Sequence, residues 1–296
     1  MAGRRQGMGG SLAALWPIGV FIAHGAFAAA TDPPRRAASE ILPPQSTTPI
    51  VGIDGEQISC FLGGVGGGEF LNAKALAARL RGPTEYRLYN LAGDGGVAVA
   101  PGPPVDEGSE GECADLWRHD LALDPRRAGK PFAALRSSSV NANPLPKTLE
   151  SLEAPAPEHI ELVRNFLLRR NISDPEVKII QSVRTDLDGD GIDDWLLNAV
   201  RRQPDIAAKG DYSIVLVLRG LKQGFRTYII HDDITLEDSP YPSTLWVNEI
   251  VAVLDVDGDG AMEVVMNGAY IYGGGWDLIR FQNGAFEYVL FCGCDG

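Results

Sequence analysis

Asp186-Leu187-Asp188-Gly189-Asp190-Gly191-Ile192-Asp193-Asp194 and Asp255-Val256-Asp257-Gly258-Asp259-Gly260-Ala261-Met262-Glu263 are two writings of one nine-residue loop. Once such a chain curls, the carboxylates at positions one, three and five converge on a common centre. The glycine at six makes the sharp turn, the carbonyl at seven (Ile192 or Ala261) adds a neutral oxygen, and the acid at nine closes the shell. The candidate metal ligands are therefore Asp186, Asp188, Asp190, Ile192 and Asp194 in the first loop. In the second they are Asp255, Asp257, Asp259, Ala261 and Glu263. An all-oxygen set suits Ca2+, which accepts six to eight hard oxygens in loose geometry, better than Mg2+. Neither loop holds a Cys or His, which argues against zinc or copper. Acidic turns are common without a cation, but two matching loops packed with carboxylates would repel themselves strongly if none were bound.

Both loops sit between apolar β runs. The first copy reads as strand Val177–Thr185, loop, strand Trp195–Val200, then a hairpin of Tyr212–Leu218 and Phe225–Ile230 around Gly224. The second reads as strand Glu249–Leu254, loop, strand Val264–Asn267, then a hairpin of Trp276–Phe281 and Phe286–Phe291 around Asn283-Gly284. Each copy is thus a four-stranded antiparallel meander whose first two strands the loop connects. An EF-hand is excluded, because it needs flanking helices and a Glu at position twelve, where Leu197 and Met266 stand.

An acid at nine followed at once by an apolar β run resembles the FG-GAP/VCBS repeats of integrin-α-like proteins. The resemblance covers Val183 through Leu197 and Val253 through Val265. It implies calcium on the acids at one, three, five and nine and on the carbonyl at seven. It also implies blade-like sheets of the β-propeller kind. Only two units are visible, whereas a closed propeller has four to eight blades. The expected fold is therefore mainly β with a few helices: two blade-like, four-stranded sheets packed together, partly propeller-like, preceded by a small α+β unit.

Outward from the loops, Glu158–Arg170 is an amphipathic helix with Ile160, Val163, Phe166 and Leu167 on one face, expected to cover a sheet edge; it opens a calcium-binding β domain over 158–296. Residues 124–157, rich in Pro, Ser and Ala, read as a linker. Residues 51–123 read as the α+β unit. It has a strand around Gln57–Leu62 and a short helix with Ala73, Leu76, Ala77 and Leu80 on one face, capped by Asn72. Strands Tyr86–Leu91 and Val97–Val99 follow, joined through Gly93–Gly96. Residues 31–50 have the composition of a flexible tether. Residues 1–30 read as a signal peptide, with Arg4 and Arg5, the apolar stretch Leu12–Phe27, and small residues near Ala28 for cleavage. Export to a periplasmic or secreted location follows. No segment after it is long and apolar enough to span a membrane.

With 26 basic against 39 acidic residues, the chain is polyanionic, which disfavours nucleic acid and gathers cations. Four cysteines in an oxidising compartment suggest disulfides. The economical pairing is Cys60 with Cys113, leaving Cys292 and Cys294 to bridge locally.

Other motifs carry less. Gly63–Gly68 lacks a phosphate-loop spacing and reads as a hairpin tip. His119, His159 and His231 stand in no nucleophile motif, and His231-Asp232-Asp233 reads as a strand ending in a polar turn. Asn171-Ile172-Ser173 fits a glycosylation sequon. Tyr270, Tyr272 and Trp276 read as core residues or as a stacking platform for a protein or glycan beside the second loop. The expected function is an exported calcium-binding β module with a structural or binding role. The alternative is an envelope-acting hydrolase with the β half as its accessory.

Overall fold

A computed structural model describes residues 47–108, 113, 116–138, 141, 143–203 and 206–294. The stretch expected to be a signal peptide, and all but the last four residues of the expected tether, lie outside them. The chain runs β1 (Thr47–Ile53), β2 (Ser59–Gly66), β3 (Phe70–Asn72), α1 (Ala73–Ala77), β4 (Thr84–Asn90) and β5 (Gly93–Ala100). Next come β6 (Val105–Asp106), β7 (Trp117–Arg118), β8 (Phe132–Arg136), β9 (Leu149–Ser151) and α2 (Pro157–Arg169). The loop-bearing part follows as β10 (Ile179–Thr185), β11 (Asp194–Arg201), β12 (Tyr212–Gly220), β13 (Phe225–Ile234), β14 (Val247–Leu254), β15 (Glu263–Tyr270), β16 (Gly273–Gln282) and β17 (Ala285–Cys294).

Three sheets stack face to face. Their strand orders are β3-β2-β1-β8-β4-β5, β13-β12-β11-β10-β9 and β14-β15-β16-β17, and none closes into a barrel. The two meanders expected from the sequence form the last two sheets, with β9 added to the edge of the first meander. β12 is buried nearly end to end because both its faces are covered. On one face Leu197, Ile214 and Leu216 receive Val163, Phe166 and Leu167 of α2. On the other, Val183, Leu196 and Val215 meet Val264, Met266 and Ile279 of the four-stranded sheet. That sheet turns Leu254, Val265 and Leu278 toward Ile50, Leu62 and Leu135 of the six-stranded sheet. Leu76 and Leu80 cover the far side against Phe61 and Tyr86. The order of layers is helix, sheet, sheet, sheet, helix.

α2 covers a sheet face, not an edge, because its apolar stripe is wide enough to meet three neighbouring strands. It ends as a Schellman turn: Asn171 takes φ 68°, and the N–H groups of Asn171 and Ile172 donate to the carbonyls of Leu168 and Leu167. The sequon asparagine is therefore a helix terminator. α1 starts on the expected cap, where Asn72 Oδ1 accepts from Ala75 N at 2.9 Å.

Three expectations need correction. The stretch read as a linker contributes β8, which lies between β1 and β4 inside the six-stranded sheet, as well as the edge strand β9. Its short Phe-Ala-Ala-Leu run has no period of its own, and strand form comes from the neighbours on either side. The last tether residues, Thr47–Ile50, are buried in β1; Pro49 is tolerated there because pairing with β8 begins only at Ile50. The disulfides are Cys60–Cys292, with Cα atoms 5.8 Å apart, and Cys113–Cys294. Stacking of the four-stranded sheet on the six-stranded one lays β17 across β2, so each N-terminal cysteine meets a C-terminal one. Cys292 and Cys294 do not bridge each other.

Candidate metal centre

Each acidic loop closes a β-hairpin. Thr185 pairs with Asp194 and Leu254 with Glu263, so the ninth-position acid is the first residue of the outgoing strand. Both acids are buried there, at 1% and 2% exposure. Position two anchors the loop: Leu187 and Val256 are each 1% exposed and belong to the apolar layers below. An apolar residue between two acids is the local reason these turns dip into the protein instead of standing in solvent.

The internal bonding repeats from loop to loop. Asp194 Oδ2 accepts from Leu187 N at 2.8 Å, and Glu263 Oε2 accepts from Val256 N at 2.8 Å. Asp186 Oδ2 accepts from Gly191 N at 3.0 Å, and Asp255 Oδ2 from Gly260 N at 3.2 Å. The glycines at four and six take positive φ in both loops (71° and 83°, then 83° and 91°), which side-chain-bearing residues resist. The loops also touch each other. Met262 N donates to Leu187 O at 2.7 Å, and a Cβ on Gly189 would lie 3.2 Å from the Gly260 carbonyl oxygen.

Positions one, three and nine converge. One carboxylate oxygen from each of Asp186, Asp188 and Asp194 lies within 4.8 Å of the others, and the same holds for Asp255, Asp257 and Glu263. Position five stands apart: Asp190 and Asp259 are exposed, and their Oδ1 atoms accept from the N–H groups of Ile192 and Ala261 at 2.7 and 2.8 Å. In the first loop, Asp186 Oδ1 and Asp188 Oδ1 are sealed from solvent and have no hydrogen-bond partner. Carboxylate oxygens are rarely buried unpaired, because the desolvation cost is then uncompensated. Burial, with neighbouring acids adding to it, pushes Glu263 up to about 8. It also raises Asp194, Asp255 and Asp257 above the usual carboxylate range. Such a group is hard to charge alone and easy to charge around a cation.

Two residues beside the loops escape sequence reading. Arg219, at the end of β12, is ion-paired to Asp188 and has its guanidinium carbon 4.3 Å from the Phe281 ring centroid. Its counterpart in the second copy is Arg280, whose charge lies near enough to Asp257 to oppose the rise in its pKa. The connection between the second and third strands is much longer in the first copy (Arg201 to Tyr212) than in the second (Tyr270 to Gly273). The two arginines therefore fall out of linear register.

The other flagged residues lie in separate places. Trp276 is buried at 4% exposure over Gly52, so it is not part of a stacking platform. Tyr270 instead packs between Trp246 (5.3 Å) and the exposed Tyr272 (5.9 Å). His119 is buried between the Tyr86 hydroxyl and the Gly102 carbonyl, 2.8 Å from each. His159, on the buried face of α2, has its Nδ1 3.4 Å from Oγ of the buried Ser182. His231 Nε2 lies 3.0 Å from Trp246 O. Burial lowers the pKa of all three histidines. Gly63 and Gly64 are strand residues whose Cβ positions fall on neighbouring backbone. They pack within the sheet, against the backbone of β3 and β1.

The chain matches no family model, no curated protein and no solved structure.

Proposed function

We propose that this protein is an exported calcium-binding β module of the FG-GAP/VCBS kind, serving a structural or binding role and not a catalytic one. The observation that carries the reading is the pair of sealed, partnerless oxygens on Asp186 and Asp188, inside a three-carboxylate group that the second loop repeats. The donors are all carboxylate or carbonyl oxygens, as calcium prefers. Asp190 and Asp259 at the loop mouths, with the carbonyls of Ile192 and Ala261, would complete each shell. Two disulfides and the basic-then-apolar N-terminus support an oxidising compartment. A protein or glycan partner would find the exposed Tyr272, with Tyr270 and Trp246 beside it.

Each cation would tie the end of one strand to the start of the next, so the expected effect of binding is on stability. A ligand that binds only the folded state adds ~2.7 kcal/mol at a hundredfold excess over Kd. At roughly 2–4 °C per kcal/mol for a domain of this size, each occupied loop should raise Tm by about 5–10 °C. Titration calorimetry should show calcium heat with Kd on the order of 10⁻⁴–10⁻³ M. Asp188→Ala and Asp257→Ala should each remove part of the calcium-dependent rise in Tm, and the double variant all of it. A double variant that still melts higher in calcium than in chelator would refute the loops as the site.

A further inference from the structure

The two copies place an arginine at the same point and use it differently. Trp195 pairs with Leu218 and Val264 with Ile279, so the next residues, Arg219 and Arg280, are equivalent. Arg219, with its side chain 14% exposed, is ion-paired to Asp188 of its own loop and is held over Phe281. Arg280 turns the other way. Its Nη2 donates to Gln282 Oε1 and its guanidinium carbon lies 5.3 Å from the Phe70 ring centroid. Among the described residues, Asp257 has no ion pair; its Oδ1 accepts only from Asp259 N at 3.1 Å. The first loop therefore already holds one positive charge in an ion pair with the carboxylate at position three, whereas in the second the arginine acts on Asp257 only through space.

We propose that Arg219 is a built-in counter-cation that makes the two loops bind calcium unequally. The second loop fills first, and the first fills only as Arg219 gives up Asp188. The proposal rests on the calcium reading of the loops. A divalent ion drawn to Asp186, Asp188 and Asp194 meets a guanidinium at the shared acid. The repulsion between them means the ion settles only as that pair breaks. A displaced Arg219 keeps a place to go, because the face of Phe281 holds its charge whether or not Asp188 does. Breaking one largely buried ion pair, with the arginine kept on Phe281, weakens binding by roughly three- to tenfold.

The test uses calcium titrations of the full-length chain. Wild type should show two affinities, and Asp188→Ala should keep the tighter one. Asp257→Ala, with only the first loop intact, should keep the weaker. Adding Arg219→Gln to Asp257→Ala should tighten that remaining site roughly three- to tenfold. Arg219→Met, which keeps a flexible stem on Phe281, should do the same and serves if the glutamine variant does not fold. An unchanged affinity on removing Arg219 overturns the proposal and leaves the calcium reading standing, as does an Asp188→Ala variant that keeps the weaker site. Absence of calcium heat from the wild type overturns both.

Discussion

A single methyl group at Gly52 tests the stacking of the sheets. Gly52 lies in β1, opposite Cys60 of β2, and Trp276 lies in β16, opposite Cys292 of β17. The indole rests directly on the glycine: a Cβ added at Gly52 would fall 2.1 Å from Trp276 Cδ2 and 2.5 Å from its Cγ and Cε3. Carbon atoms prefer ~3.5–4.0 Å, so the sheets or the ring would have to give by about 1.5 Å. The Cys60–Cys292 bond joins the two neighbouring strands beside this contact and opposes that movement. Gly52 does not take a positive φ, so alanine brings no backbone strain there and gains about 0.4–1 kcal/mol through the unfolded chain. Overpacking costs about 1–3 kcal/mol, toward the upper end where neighbours cannot yield. The net expectation for Gly52→Ala is a loss of about 2 kcal/mol, or roughly 4–8 °C in Tm. Near-UV circular dichroism during thermal and urea unfolding reads it, since the signal includes the buried indole. Trp276→Leu alone should destabilise through the cavity it leaves, while the double variant should recover more than about 1 kcal/mol of the summed losses. An unchanged Tm for Gly52→Ala, or additivity within about 0.5 kcal/mol, would refute the packing of the four-stranded sheet on the six-stranded one.

Peptide mapping of non-reduced protein should recover Cys60 linked to Cys292 and Cys113 linked to Cys294. Cys60→Ser/Cys292→Ser should lose about 2–5 kcal/mol, and a Cys60–Cys113 peptide would contradict the sheet order. Burial pushes Asp277 up to about 7, above the ~3.9 of an unfolded aspartate. The fold therefore favours the protonated acid, and stability present below pH ~4 is lost as pH rises through ~7, by up to about 4 kcal/mol. Measured in saturating calcium, so that the loop acids stay charged, Asp277→Asn should flatten that slope; an unaltered slope would clear Asp277 of the effect. Asn171→Val should cost about 1–2 kcal/mol because the helix stop needs a left-handed residue; Asn171→Gly should cost little, and equal costs would contradict the Schellman turn.

The two meanders were legible because each strand has several β-branched or aromatic residues and each turn its own glycine, and because the second copy repeats the order of the first. The acids at one, three and nine were legible from spacing alone, since an acid at the start of an outgoing strand has little freedom in where it points. β8 was not. Phe132–Arg136 has two alanines, sits among prolines and serines, and owes its form to β1 and β4, which lie far away in sequence. Trp276 was ambiguous for a related reason. A tryptophan after three glycines reads equally as a platform or as core, and only the glycine on the facing sheet decides between them. The disulfide pairing depends on which sheet faces which, information that local spacing does not contain. Arg219 and Arg280 were hidden by unequal connections, although their strand register is the same.

The open stack raises a question that a closed ring of blades would not: what holds its middle sheet at both edges? At one edge, β14 presents unpaired backbone, and the Gln181 side chain covers it, accepting from Ile250 N at 2.8 Å and donating to Ile250 O at 2.9 Å. Asn198 steadies that amide, donating to Gln181 Oε1 at 2.8 Å and to Asn248 O at 2.6 Å. Side-chain amides thus stand in for the missing strand and blunt an edge that would otherwise invite pairing with another chain. At the other edge β17 carries both C-terminal cysteines, and they join it to β2 and to Cys113. Covalent bonds between an early strand and the last one do what closure of a ring does elsewhere. At the hairpin end, the loops meet through the bond from Met262 N to Leu187 O, and the N–H of Leu187 donates to Asp194. The ninth-position acid of the first site and the residue preceding that of the second thus bond to one residue, Leu187, through its N–H and its carbonyl. A cation that orders either loop would act directly on the contact between two sheets.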